Sequence, residues 1–203
     1  HGRILNPIGY HRAQESHWGQ QIGEARHSYA ELGYAVISGI IAPLQVSFMR
    51  SYQRSKESEG YWAYDNYKAN ERFFLHNDPQ LKAIHRQTGR LVRSIIQSEL
   101  FPSYSFMSAY TEGARLSRHV DRPQCKWNGS LLLDQRPEVS NEDSWPIYLD
   151  VEGTAHEVKL DMGDIVFFSG TDIPHWRNKI QDGHRQTLGL FHYVPIDFTG
   201  SLT

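Results

Sequence analysis

The sequence predicts an α+β protein: a double-stranded β-helix of the jelly-roll, cupin-like type with N-terminal helices packed on one sheet. Two observations carry this prediction. Apolar residues recur at helical spacing in the first part of the chain, about residues 1–101, and short alternating runs separated by turn residues follow over about residues 102–195. No linker, repeat or low-complexity segment divides the 203 residues, so we expect one domain over residues 1–203.

The N-terminal part is predicted to contain three helices and one strand. Apolar residues from Trp18 to Leu32 share one helical face, and Gly33 follows as a stop signal. Asp78 and Pro79 are typical of an N-cap followed by a proline in the first turn, where the missing N–H leaves no helical hydrogen bond unmade. The predicted helices cover residues 18–32, 43–57 and 79–100, and the strand covers residues 34–39.

The C-terminal part is predicted to be built from seven short strands. Such a series, with turn residues between the runs, is typical of a sandwich or barrel of the jelly-roll type. The predicted strands cover residues 103–111, 116–121, 129–134, 145–151, 156–160, 164–169 and 186–194.

The composition is that of a globular protein and indicates neither a nucleic-acid nor a membrane partner. Hydrophobic residues at 39% and charged residues at 22% are ordinary for a globular protein, and a net charge of -2 offers no attraction for nucleic acid or an anionic membrane. No apolar run approaches the roughly 20 residues of a membrane span. The single cysteine, Cys125, excludes an internal disulfide, is interpreted as a small buried side chain and fits a reducing, cytoplasmic location. The oligomeric state is not predicted.

A metal site is predicted from His119, Asp121 and His175. Successive side chains of a strand point to opposite faces, so His119 and Asp121, two residues apart, share one face. An imidazole from His175 completes a set of two histidines and one carboxylate, which suits non-haem Fe(II) with open coordination positions. His184 and His192 are rival third ligands; His192, far along the last strand, is interpreted as a core or edge residue.

Further motifs follow the same order along the chain. They are Tyr110, the His-x-Asp pair, a buried strand over residues 163–169 leading into His175, and Arg185-Gln186-Thr187. With these motifs the C-terminal half, roughly residues 104–194, resembles the Fe(II)/2-oxoglutarate-dependent dioxygenase superfamily, and most closely its prolyl-hydroxylase-like branch. The motifs are specific as a set, although each piece is common by itself.

The resemblance implies Fe(II), 2-oxoglutarate and O2 as cofactor and co-substrates, with ascorbate as a stimulant. Arg185 is then the clamp for the distal carboxylate of 2-oxoglutarate, because a guanidinium pairs with a carboxylate through two parallel hydrogen bonds. Thr187 shares the strand face of Arg185 and, like Tyr110, is an additional donor. Relatives often carry another tyrosine on the strand after His-x-Asp, and residues 130–134 have none.

The implied reaction is hydroxylation of an unactivated C–H bond, with release of succinate and CO2. The absence of an appended peptide-binding domain favours a small molecule, such as an amino acid or a natural-product intermediate. A peptidyl or protein residue is the alternative substrate. A metal-binding jelly roll without catalysis is the alternative of another class, although it would not need a carboxylate clamp.

Candidate substrate contacts lie beside the metal motifs and in an aromatic segment. Arg122, Trp176 and Arg177 adjoin the predicted ligands, and each is as readily interpreted as a packing or solvated residue. Residues 61–72 show neither helical nor strand periodicity, and we predict that they form a lid over the substrate. Its predicted walls are Tyr61, Trp62 and Tyr64, and its polar contacts are Asp65, Asn66 or Arg72; the alternative is that the aromatic residues anchor the helices on the sheet.

Overall fold

Three α-helices lie in the part of the chain that the computed structural model describes, which is residues 12–65 and 69–202, with side chains for 17–64 and 71–202. They are α1 (Arg12–Leu32), α2 (Pro43–Ser58) and α3 (Pro79–Ile96). Asp78 caps α3 by accepting hydrogen bonds from the backbone N–H groups of Gln80 and Leu81. The left-handed conformation of Gln97 (φ 53°) ends α3 four residues before the predicted boundary at residue 100. None of the described helices is long and apolar enough to cross a membrane.

Ten antiparallel strands of the described chain form one curled sheet. The strands are β1 (Tyr34–Ile37), β2 (Ala63–Asp65), β3 (Ala69–His76), β4 (Leu100–His119), β5 (Trp127–Arg136), β6 (Ile147–Val151), β7 (Thr154–Val158), β8 (Ile165–Ser169), β9 (His175–Arg177) and β10 (Arg185–Pro195). Eight of them follow the order β1-β8-β5-β10-β4-β9-β6-β7, while β3 pairs with β4 and β2 pairs with β3. The predicted double-stranded β-helix with helices on one face is confirmed.

The long strand β4 joins the two parts of the sheet. The sequence predicted two strands over residues 103–121, whereas the structure has one continuous strand of 20 residues. Gly113 (φ 84°) takes a conformation that other residues rarely adopt, and it lies near the middle of the strand. The first half of β4 pairs with β3 and β10, and its end pairs with β9, where His119 lies opposite His175.

The sheet has one apolar face toward the helices and another toward the interior of the curl. On β8, Phe167 belongs to the core shared with the helices, whereas Phe168 belongs to the interior cluster. On β10, Gly189 allows α3 to approach closely, since a Cβ there would lie 2.8 Å from Leu81 Cδ1. Leu188, in contrast, belongs to the interior cluster. Alternation along the strands therefore sends odd-numbered residues of β10 to the helices and even-numbered residues to the interior.

The segment predicted to form a lid contains a β-hairpin. Strands β2 and β3 pair with each other, and β3 continues the sheet beside β4. The described part of residues 61–72 therefore contains strand structure that its sequence periodicity does not reveal, and the lid stays a prediction. Residues 66–68 and the side chains of Asp65 and Asn66 lie outside the described residues.

A buried carboxylate attaches α2 to the outer face of the sheet. Asp134 on β5 accepts hydrogen bonds from Arg50 Nε (2.9 Å), Arg54 Nη2 (2.9 Å) and Gln53 Nε2 (2.7 Å). Its side chain is 2% exposed, so these charge-assisted bonds compensate the cost of burying the carboxylate. Arg50 and Arg54 of α2 thus stabilise the packing of this helix on the sheet, and they lie on the face opposite the interior cavity.

Candidate metal centre and cavity

The end of β4, the loop after it and the start of β9 bring His119, Asp121 and His175 together. Nε2 of His119 lies 3.5 Å from Oδ1 of Asp121, and Nε2 of His175 lies 3.5 Å from Oδ2 of the same carboxylate. The two imidazole ring centroids are 4.4 Å apart. Among the described residues, these three side chains form the group of histidine, cysteine and acidic residues whose donor atoms all lie within 4.8 Å of one another.

Both imidazoles are oriented by backbone carbonyls. Nδ1 of His119 donates to the carbonyl of Ser117 (2.7 Å), and Nδ1 of His175 donates to the carbonyl of Ile173 (3.0 Å). Because a carbonyl only accepts, the proton of each neutral ring sits on Nδ1 and the lone pair on Nε2. Burial also lowers the pKa of His175, which favours the neutral ring that binds metals. Both rings therefore present Nε2 as the ligand atom toward Asp121.

The spacing of these donor atoms fits one shared ion. Two ligand atoms that each bind a first-row metal at about 2.1 Å, at roughly right angles, lie about 3 Å apart. The observed 3.5 Å separations are close to that value. Burial by itself raises the pKa of Asp121, but the two neighbouring imidazoles lower it on balance below its ordinary value. Asp121 is therefore ionised as a metal ligand must be.

Asn128 holds Asp121 in place from the neighbouring strand β5. Its side-chain N–H donates to Asp121 Oδ2, and its Oδ1 lies 2.5 Å from Nδ1 of His192 on β10. Burial, followed by the charges of nearby arginines, lowers the pKa of His192 to about 4, so its neutral ring donates to Asn128. Gly170 packs against this pair: a Cβ there would lie 2.9 Å from Asp121 Oδ2. Sequence reasoning assigned His192 to the core or an edge and did not single out Asn128, because only the pairing of β5 with β10 joins them.

Replacing Asn128 by alanine is expected to weaken metal binding by about 10- to 100-fold, the usual effect of removing a partner of a metal ligand. Without Asn128, Asp121 loses the donor that fixes its rotamer, while the ligands themselves remain. Calorimetric titration of Mn²⁺ measures the effect, and Asn178→Ala, at an exposed position on the segment after β9, is the matched control. Equal affinities in the two variants would show that Asn128 does not position Asp121.

A cavity of about 270 Å³ opens beside the three side chains. It is small compared with the roughly 300–1,000 Å³ of most ligand pockets. Its wall combines aromatic and aliphatic side chains with three guanidinium groups and a single carboxylate among the described residues. The charged groups that line it are Arg72, Arg122, Arg177 and Asp121.

Arg177 lies at the buried end of β9 and faces the cavity. It is two residues from His175 on the same strand, so both side chains point to one face. Its Nη1 donates to the carbonyl of Trp145 (2.9 Å) and to Gln186 Oε1 (3.3 Å), and its Nη2 lies 3.4 Å from Ser130 Oγ. Burial lowers the pKa of Arg177 to about 10, and no described carboxylate compensates its charge. A buried cation without a counter-ion is costly, and a bound anion removes that cost.

Arg185 and Thr187, the predicted carboxylate clamp, lie on the opposite face of the sheet. Gln186, between them, points inward to Arg177, so its neighbours on β10 point toward the helices. Arg185 pairs there with Glu57 at the end of α2. Neither Arg185 nor Thr187 lines the cavity, so the structure does not bring the predicted clamp to the predicted metal ligands. Tyr110, the third residue of that prediction, does line it.

Some of the predicted substrate contacts line the cavity, and others do not. Arg122 lines the cavity, whereas Trp176 points away from it and stacks on Tyr148 at 5.4 Å. Trp62 packs against the helical core and donates from Nε1 to the carbonyl of Gln53 (3.3 Å), which matches the anchoring alternative. The other two predicted walls, Tyr61 and Tyr64, are 62% and 49% exposed and do not line the cavity.

No protein-family model matches the sequence, and no curated protein matches it. Solved structures do match, at 9–14% identity for the three described below. A prolyl hydroxylase from Trichoplax adhaerens, in complex with a hypoxia-inducible-factor peptide, aligns with a TM-score of 0.73 and 12% identity over 92% of this chain and 94% of its own.

Two further structures extend the comparison. HygX from Streptomyces hygroscopicus, with nickel and 2-oxoglutarate bound, aligns with a TM-score of 0.68 and 14% identity over 87% of this chain and 88% of its own. An oxidoreductase of the 2-oxoglutarate–Fe(II) oxygenase family from Burkholderia pseudomallei aligns with a TM-score of 0.68 and 9% identity, covering 89% and 92% of the two chains. By its architecture, therefore, this chain has the fold of the 2-oxoglutarate–Fe(II) oxygenases.

Proposed function

We propose that this protein is an Fe(II)- and 2-oxoglutarate-dependent oxygenase that hydroxylates an unactivated C–H bond of a small molecule. The observation that carries the proposal is the combination found in one cavity: two imidazoles and a carboxylate at metal-ligand spacing, and a buried guanidinium without a counter-ion. A simple metal-binding module has no use for the second feature. An enzyme that binds an anionic co-substrate beside its metal requires both.

His119, Asp121 and His175 would hold the iron through Nε2, a carboxylate oxygen and Nε2. When bound, the iron supplies O2 activation coupled to the conversion of 2-oxoglutarate into succinate and CO2, which provides the oxidant for hydroxylation. The protein would contribute three ligands to the ion, and the cavity opens beside them, where co-substrate and substrate would bind. Asn128 and the two carbonyl acceptors keep those ligands oriented.

Arg177 is the proposed clamp for the distal carboxylate of 2-oxoglutarate. Its guanidinium is held by Trp145, Gln186 and Ser130, so it is already oriented before the ligand arrives. Tyr110 and Ser130 line the cavity and carry hydroxyl groups that complete the set of donors. In this proposal Arg177 takes the role that the sequence predicted for Arg185.

The size of the cavity supports a small substrate. After 2-oxoglutarate occupies the end near Arg177, only part of the 270 Å³ remains beside the metal ligands. That space suits a small molecule or a single projecting side chain. The prolyl hydroxylase from Trichoplax adhaerens is described with a peptide, so a peptidyl substrate is the second candidate.

The experiment is a turnover assay with purified protein, Fe(II), ascorbate and O2. We expect succinate to form from 2-oxoglutarate, and mass spectrometry of a metabolite panel to show a product heavier than its parent by one oxygen atom. Omitting iron or adding a chelator should stop both reactions. Absence of succinate at every iron and 2-oxoglutarate concentration would contradict the proposed function.

A further inference from the structure

We propose that Gln186 is a positioning residue for the co-substrate: it directs the guanidinium of Arg177 and, being neutral, leaves that charge to the distal carboxylate. The inference rests on the proposed function and adds the residue on which the affinity of its clamp depends. Gln186 is 3% exposed and does not itself line the cavity. It therefore acts on the ligand only through Arg177.

Strand register places Gln186 on the interior side of β10. It lies opposite Tyr110 of β4 on one side and opposite Gln135 of β5 on the other, and residues opposite each other in an antiparallel pair share one face. Tyr110 lines the cavity. Leu188 and Leu190, which follow Gln186 at the two-residue period of the strand, line it as well. The side chain of Gln186 thus enters the layer of residues that encloses the cavity.

A β-bulge brings Gln135 of β5 to the same face. The pairing of β10 with β5 shifts by one residue at Leu133, which is the extra residue of the bulge. Leu132 belongs to the interior cluster, and the bulge then sends Asp134 to the helices, where it binds α2. The next residue, Gln135, therefore returns to the interior beside Gln186.

A chain of buried hydrogen bonds fixes the orientation of the Gln186 amide. Gln135 Nε2 donates to the backbone carbonyl of Val139 (2.8 Å), so Gln135 Oε1 is left to accept from Ser144 Oγ (3.4 Å). Because the hydroxyl proton of Ser144 is used there, its oxygen accepts from Gln186 Nε2 (3.3 Å). The amide oxygen of Gln186 therefore points the other way and accepts from Arg177 Nη1 (3.3 Å).

This chain reaches Arg177 without delivering a negative charge. The guanidinium donates to the carbonyl of Trp145, the amide of Gln186 and the hydroxyl of Ser130, which are all neutral. Arg177 is 3% exposed, and no described carboxylate pairs with it. A carboxylate at position 186 would be an internal counter-ion and would compete with the ligand. The neutral amide instead gives the guanidinium a direction and keeps its charge for an incoming anion.

The test compares two ligands that differ only at the distal end. 2-Oxoglutarate carries a carboxylate there, whereas 2-oxopentanoate has a methyl group in its place. Each is titrated by calorimetry into protein loaded with Mn²⁺, so that binding is measured apart from turnover. We expect the wild type to bind 2-oxoglutarate about tenfold or more tightly than 2-oxopentanoate, because hydrogen bonds to charged groups are the strong ones.

Gln186→Glu should reduce this preference to less than about threefold, because the introduced carboxylate pairs with Arg177 in place of the ligand. The affinity for 2-oxopentanoate should stay within about threefold of the wild-type value, since this ligand makes no such pair. Gln186→Met, neutral and similar in size, removes only the hydrogen bonds and should give an intermediate preference. Ser144→Ala should also lower the preference, because the amide loses the acceptor that orients it. Gln181→Glu, the same change at an exposed residue in the turn before β10, is the matched control.

Thermal unfolding of the unliganded variants separates positioning from structural support. The introduced carboxylate supplies the counter-ion that Arg177 lacks, so Gln186→Glu should unfold at a temperature no lower than Gln186→Met does. A residue needed only for packing would weaken the binding of both ligands equally in both variants. That result, or an unchanged preference in Gln186→Glu, would overturn the role of Gln186. If Gln186→Glu does not fold, an unchanged preference in Gln186→Met and Ser144→Ala would overturn it.

The wild-type protein distinguishes failure of this inference from failure of the proposed function. Succinate formation with a preference for 2-oxoglutarate that persists in every variant would leave the oxygenase proposal standing and remove the role of Gln186. Succinate formation without any wild-type preference would remove that role as well. Absence of both the preference and succinate formation would contradict the proposed function itself.

Discussion

Replacing His175 by alanine is expected to abolish Fe(II)-dependent turnover of 2-oxoglutarate and to weaken metal binding by more than about 100-fold. The loss of outer partners of metal ligands already costs about 10- to 100-fold, and His175 is itself a proposed ligand. Its ring is nearly buried, with Nε2 directed at Asp121 and Nδ1 bonded to a carbonyl. No other described imidazole is placed to substitute for it in that cluster.

The matched control for this variant is His184→Ala. His184 lies in the turn before β10 and is not part of the metal cluster, although the sequence alone made it a rival ligand. Mn²⁺ affinity by calorimetry and succinate formation are measured for both variants, with circular dichroism as the check on folding. A His184 variant that loses metal while the His175 variant keeps it would reverse the assignment of the third ligand.

Replacing Arg177 by glutamine is expected to raise the Michaelis constant for 2-oxoglutarate by about 100-fold or more while metal affinity stays within about threefold. Leaving one partner of a buried ion pair without the other costs about 3–5 kcal/mol, and each 1.4 kcal/mol is a factor of ten. Glutamine keeps donors for Trp145 and Ser130 but removes the charge. The free protein should be no less stable, since the unliganded guanidinium is buried without a counter-ion.

Arg185→Gln is the control that separates the two candidate clamps. This change breaks a partly exposed ion pair with Glu57, which contributes about 1 kcal/mol or less to stability. We therefore expect a normal Michaelis constant for 2-oxoglutarate and a slightly lower melting temperature. If the Arg185 variant instead loses co-substrate affinity and the Arg177 variant does not, the clamp lies where the sequence motif predicted it.

Arg177 and Arg185 show what the strand period can predict about a side chain and what it cannot. The two-residue period of a strand groups Arg177 with His175 on β9, and that signal was available in the sequence. The same period grouped Arg185 with Thr187 correctly but could not say which face they occupy. Both faces of β10 are buried, one by helices and one by the interior, so no contrast between polar and apolar residues marks the inner face.

The lack of sequence periodicity in the aromatic segment after α2 has a related cause. Its side chains divide among the helical core, the cavity and solvent, as Trp62, Arg72 and Tyr61 illustrate. A strand with several environments shows no period, although β3 pairs along much of its length with β4. Non-local pairing, which hydrophobic patterning does not record, determines the structure of this segment.

The sequence by itself determined the fold class, the helical first part and the set of residues from which a metal site can form. These features depend on local spacing: the helical period, the alternation of strands and the order of motifs along the chain. The tertiary structure alone decided that Arg177 and not Arg185 lines the cavity, and that Asn128 and His192 lie behind Asp121. Those relations depend on strand register and on which face packs against the helices, both of which are set by contacts between residues far apart in sequence.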